Sequence, residues 1–187
     1  NTAATGGNGK ISVNSAGNLG IDNDAQVSTV GSGELTATAE RSIAITSATG
    51  TTTLQTVNGN LELVANINEN SGNFAGLSIV GADITTGLGS ITLAGTSGTT
   101  SQNRGIHIAG GSKISSTGLG EFAGTIRVDG KVANNSAFRA VEVSGSGTLI
   151  STFDADIEIV GSAINTTAIT IQSAKIRSTG VGTHAGN

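Results

Sequence analysis

The 187-residue chain has no cysteine, proline, methionine, tryptophan or tyrosine. Without Cys it can form no disulfide and no thiolate metal site. That suits a chain kept unfolded during export, but it assigns no compartment. Without Met even an initiator is missing, so a processed or excised piece of a longer protein is expected. Without Trp and Tyr the usual stacking platforms for sugars are missing. The aromatic residues besides His107 and His184 are Phe74, Phe122, Phe138 and Phe153. Charged residues make up 12%, about half the usual share. A net charge of −4 with no basic cluster argues against nucleic acid or an anionic membrane as partner. No signal peptide is evident, and no apolar run approaches about 18 residues, so membrane insertion is not expected.

What is present is 29 Gly together with Ile, Val, Leu, Thr, Ser and Asn. β-branched side chains suit a pleated surface, and Gly and Asn suit tight turns. The apolar residues, 36% of the chain, are patterned, which a disordered linker would not be. A short unit recurs six times. Gly9-Lys10-Ile11-Ser12-Val13 is followed by Gly33-Glu34-Leu35-Thr36-Ala37, Gly59-Asn60-Leu61-Glu62-Leu63 and Gly89-Ser90-Ile91-Thr92-Leu93. Gly124-Thr125-Ile126-Arg127-Val128 and Ala155-Asp156-Ile157-Glu158-Ile159 complete the set. From Ile11 onward the steps are 24, 26, 30, 35 and 31 residues. A period of this size marks a solenoid whose units bury their apolar faces only by stacking.

A second apolar pair follows each triplet: Leu19/Ile21, Ile43/Ile45, Leu77/Ile79, Ile106/Ile108, Val141/Val143 and Ile169/Ile171. A third, shorter element stands at Ile84, Ile114, Ile150 and Ile176. Alternation places these side chains on one face and polar ones on the other. Short strands without intervening helices exclude a doubly wound fold. Asn-Gly hairpin signals, as at Asn58-Gly59, are too few for an antiparallel sandwich. The expected fold is therefore all-β: a right-handed, single-stranded parallel β-helix (β-solenoid) of about six coils of 24–35 residues. Residues 1–187 form one domain. The polar tracts at Asn66–Asn73, Gly95–Arg104 and Val132–Ser136 are expected as bulges collected at one corner.

The tract from Gly76-Leu77-Ser78-Ile79 through Ile84-Thr85-Thr86-Gly87-Leu88-Gly89-Ser90-Ile91-Thr92-Leu93 resembles the repeat arrays of giant bacterial surface proteins. These are the filamentous-haemagglutinin-like and autotransporter-like adhesins. The earlier Gly33-Glu34-Leu35-Thr36-Ala37-Thr38-Ala39 and Ser42-Ile43-Ala44-Ile45-Thr46 are similar to their shorter haemagglutinin-type repeats. The resemblance covers nearly all the chain and is one of repeat grammar. It carries no catalytic residue and implies no cofactor. Neither the N-terminal secretion domain of those proteins nor a Gly-Gly-x-Gly-x-Asp calcium repeat is evident.

Candidate sites are few. Asp154, Asp156 and Glu158 at i, i+2, i+4 are expected on one outward strand face, as a possible cation or sugar-cleaving stripe or, more simply, a solvated charge ladder. Glu158 should fall beside Arg127, and Glu142 beside His107 in the file Ser78, His107, Glu142, Thr170. Asp22-Asn23-Asp24 resembles the opening of a calcium loop, but its sixth and twelfth places are Val27 and Gly33. Asp22, Asp24, Asp154 and Asp156 are thus the metal candidates, and a tight turn is the simpler role for the first two. His107 and His184 lack a third ligand at useful spacing. No nucleophile–base arrangement stands out.

The expected function is a structural stalk or filament segment of a large secreted or cell-surface bacterial adhesin or extracellular fibre, not an enzyme. Its partners would be further coils of the parent chain or copies joined end to end, and a host-cell or extracellular glycan or protein surface. The alternatives are a carbohydrate-active or carbohydrate-binding β-helix, such as a polysaccharide lyase or hydrolase, and an ice-binding solenoid. The outward file Ser12, Thr36, Glu62, Thr92, Arg127, Glu158 is not the flat threonine file that ice binding needs.

Overall fold

The computed structural model describes residues 2–3, 8–100, 103–133 and 139–180. Gly6-Gly7, the Asn134-Asn135-Ser136 tract, Phe138, His184 and the tail from Val181 to Asn187 lie outside the described residues.

The apolar triplets form the first sheet: Ile11–Ser15, Leu35–Ala39, Leu61–Ala65, Ile91–Thr96, Ile126–Lys131 and Ile157–Ser162. The second sheet holds Leu19–Asp22, Ile43–Thr46, Leu77–Val80, Arg104–Ala109, Arg139–Ser144 and Thr167–Gln172. The third holds Thr2–Ala3, Gln26–Ser28, Thr52–Thr56, Ala82–Thr86, Lys113–Ser116, Leu149–Thr152 and Lys175–Ser178. Within each sheet every strand pairs in parallel with its counterpart one coil on. The chain is a parallel β-helix of about six coils, a rod on the order of 30 Å long at the usual strand spacing. The described residues include one short 3-10 turn, Gly120–Phe122, and no α-helix.

The register is the one the repeat predicts. Ile11, Leu35, Leu61, Ile91, Ile126 and Ile157 stand in one column. Val13, Ala37, Leu63, Leu93, Val128 and Ile159 stand in the next. The second sheet adds the columns headed by Leu19 and Ile21. Side chains of the middle coils are buried completely, and those of the first and last are half covered. Burying each large aliphatic side chain contributes roughly 1.5–3 kcal/mol relative to exposure.

The third sheet is longer than the sequence suggests. Its column runs Val27, Leu54, Ile84, Ile114, Ile150, Ile176. Gln26–Ser28 and Thr52–Thr56 each offer one large apolar residue among polar ones, so alternation alone does not mark them. The described parts of the polar tracts, Asn66–Asn73, Gly95–Thr100 and Val132–Ala133, lie at one corner, between the first and second sheets. The 35-residue step has a separate cause. Between Ser116 and Ile126 the corner joining third and first sheets is lengthened and takes in Gly120–Phe122.

Two features fix the corners. Gly33, Gly59, Gly89 and Gly124 stack one per coil before the first sheet. A Cβ on any of them would overlap the carbonyl oxygen of the glycine one coil back. Beside them runs a file of buried hydroxyls. Thr29 donates to the Gly33 carbonyl (2.5 Å), Thr56 to Gly59 (2.5 Å), Thr86 to Gly89 (2.6 Å) and Thr152 to Ala155 (2.5 Å). Each bond satisfies a turn carbonyl that would otherwise be buried without a donor.

Candidate functional site

Side chains able to do chemistry project from the outer faces of the sheets, so their neighbours are set by register. Among the described residues, opposite charges in direct register on adjacent rungs pair as Lys10 with Glu34 at 3.2 Å, Lys113 with Asp83 at 3.8 Å, and Arg127 with Glu158. Arg127 also holds Asp129 at 2.8 Å on its own strand, and both carboxylates raise its pKa. Exposed pairs of this kind contribute ~0–1 kcal/mol each. Their larger effect is on register, since a slip would set like charges or apolar groups against them.

The acidic stripe is not a stripe. Only Glu158 lies on a strand, because the strand starts at Ile157. Asp154 and Asp156 sit in the turn before it. Asp154 folds against the corner, where its Oδ2 accepts a hydrogen bond from the Gly120 amide (2.9 Å). Its Oδ1 is buried and abuts Gly180, where a Cβ would collide with it. The carboxylate therefore spans three coils as a corner brace. Asp156 is exposed.

Asp22 ends a strand of the second sheet, and Asn23 and Asp24 adopt left-handed backbone conformations (φ 52° and 65°). The Ala25 amide closes the turn onto the Asp22 carbonyl (3.2 Å). Asp24 Oδ1 lies 3.4 Å from the Ser47 hydroxyl and rests over Gly50, which has no room for a Cβ. Residues 22–25 thus form a tight turn closed through the backbone. Among the described residues no three His, Asp or Glu side chains gather as metal ligands.

His107 and Glu142 are rung neighbours in the file Ser78, His107, Glu142, Thr170. Glu142 is on the outer face yet is only 8% exposed. Arg104 and Arg139, in register with each other, close over it. Its Oε2 accepts from both guanidinium groups, that of Arg139 at 2.9 Å. Burial pushes the Glu142 carboxyl up, but the hydrogen bond and charge of Arg104, with Arg139 and His107, outweigh it and leave the pKa lowered. Burial lowers the His107 pKa, Arg104 lowers it further, and Glu142 opposes them.

One polar centre escapes the sequence reading altogether. Asn66, within the first polar tract, is fully buried and adopts φ 53°. Its Nδ2 donates to the carbonyls of Thr96 (3.1 Å) and Ser97 (2.9 Å), and its Oδ1 accepts from the Asn70 amide (2.6 Å). Asn70 in turn donates to the Glu40 carbonyl (2.7 Å), and Glu69 pairs with Lys131. The tract is a clamped turn rather than a loose bulge. No protein-family model matches the chain, and no curated protein or solved structure does so either.

Proposed function

We propose that this chain is a structural rod segment of a large bacterial surface or secreted protein, an adhesin stalk or extracellular fibre, whose open end faces take further parallel coils. The observation that carries this reading is the continuity of the stack. The end coils repeat the apolar columns of the middle, yet Ile169 and Ile171 are 38% and 50% exposed where Ile106 and Ile108 are fully covered. The surface that fits such a face is another coil in the same register. Each added coil lengthens the rod while pairing the strand edge left by the last. The resemblance of the repeats to adhesin arrays supports an extracellular role. So does the lack of Cys, which lets a chain cross a membrane unfolded without forming wrong disulfides.

Sedimentation velocity over a concentration series tests the end faces. Growth of the particle along its length, suppressed by Ile171→Lys, is the expected result. A species that stays monomeric at all concentrations, in a protein with no further coils joined to it, would overturn the assembly. Antibodies raised against the rod test the location. They should label intact source cells or culture filtrate, and labelling only after permeabilisation would refute an extracellular role.

A further inference from the structure

We propose that the N-terminal half of the first sheet carries a docking groove for an extended, basic and aliphatic peptide segment. The groove is half open and encloses about 740 Å³. Its floor is the outward file Asn14, Thr38, Val64, in register over three coils. One wall is the clamped turn, with Ile67 at its tip.

Ile67 is 74% exposed. On a mobile loop that would be unremarkable, because isolated surface aliphatics are common. Here the turn is held by the three bonds of Asn66, by Asn70 on the Glu40 carbonyl and by the Lys131–Glu69 pair. The isoleucine cannot fold inward. It is presented over the groove in a fixed position, so an occupant that covers it gains apolar burial with little ordering cost.

Charge then selects the occupant. Asn14 and Thr38 hydrogen-bond to each other across the rung (2.6 Å), so the floor consumes much of its own polar capacity. Glu40 and Glu62 line the same groove and are exposed. Among the described residues neither carboxylate has an ion pair or a side-chain hydrogen bond. The groove thus combines an aliphatic wall with two unpaired negative charges. It lacks the aromatic platform on which a sugar ring would stack. An extended peptide that sets lysine and valine in turn on one face, at positions i and i+2, fits: a valine rests on Val64 and Ile67, and the lysines two residues to either side reach the two carboxylates.

Fluorescence anisotropy with a labelled lysine–valine peptide on the whole chain tests this. Binding should weaken as salt is raised. Glu40→Gln with Glu62→Gln should weaken it by about fivefold per carboxylate, the scale of an exposed ion pair. Ile67→Ser should also weaken it and leave the thermal midpoint unchanged, because the side chain is exposed. Two comparisons guard the assignment: a glutamate–valine peptide, and competition by a neutral β-glucan oligosaccharide. The proposal is overturned if the acidic peptide binds as well, if the oligosaccharide displaces the label, if the double variant keeps full affinity, or if the lysine–valine peptide does not bind at millimolar concentration.

Discussion

Gly89 rests directly on Gly59, so close that a side chain on Gly89 would occupy the space of the Gly59 carbonyl oxygen. Neither residue has positive φ, so the requirement is for contact rather than for a left-handed turn. Gly89→Ala should therefore force two coils apart at a point pinned from both sides. A cost of ~1–3 kcal/mol is expected, as for other overpacked sites. Gly9→Ala is the control, because nothing lies within 4 Å of the Cβ position there. Urea titration should separate the two variants.

The buried hydroxyl file gives a second expectation. Thr56→Val keeps the shape but removes the donor to the Gly59 carbonyl. Leaving that carbonyl without a partner should cost ~1–3 kcal/mol. Gln55→Thr, on the outer face of the same strand, should stay within about 0.5 kcal/mol of wild type. Equal effects of the two substitutions on the unfolding midpoint would mean that the hydroxyl does not cap the turn.

Burial along the rod is graded, and so should be the response to truncation. Ile91 is fully buried between two coils, while Ile171 is half exposed at the last. Ile91→Ala should cost ~2–5 kcal/mol, the range for buried aliphatics. Ile171→Ala should cost clearly less, with no cavity enclosed from above. Denaturant unfolding of both variants checks this. An equal loss would show that a further layer covers Ile171.

These expectations divide along what the sequence made legible. The columns through Ile91 and Ile106 could be read in advance because strand alternation and a repeated Gly-x-apolar step fix the face and register of each residue. The pairing of Arg127 with Glu158, and of His107 with Glu142, followed from the same count. Three things did not follow. Glu142 is buried because two arginines from adjacent coils fold over it, and side-chain closure of that kind leaves no periodic trace. Asp154 turns into a corner because the strand begins later than alternation suggests. Asn66 looks like any residue of a polar tract, and its buried role depends on carbonyls 30 and 31 residues away. The threonine file was within reach. A Thr three or four residues before the turn Gly or Ala recurs at Thr29, Thr56, Thr86 and Thr152.

Acid sensitivity should localise to the second sheet. His107 is faced by Arg104 on its own strand, by Ser78 one coil back, and by Glu142 and Arg139 one coil on. Its folded pKa is lowered, so the unfolded chain binds a proton there before the folded one does. Stability contributed by the neutral imidazole is therefore present above the unfolded value of about 6.5 and is lost as pH falls below it. Glu142 acts in the same direction in a lower window. Its folded pKa is also lowered, so the stability it contributes is present above the ordinary carboxylate range of about 4.3. That stability is lost as pH falls toward the folded value, where the carboxylate takes up a proton between two guanidinium groups. Thermal midpoints followed from pH 8 to pH 3 should decline in two stages. His107→Gln should flatten the upper stage alone. Glu142→Gln should flatten the lower one and lower the midpoint at pH 8, since it leaves Arg104 and Arg139 without their shared carboxylate. An upper stage that persists unchanged in His107→Gln would assign it to another group.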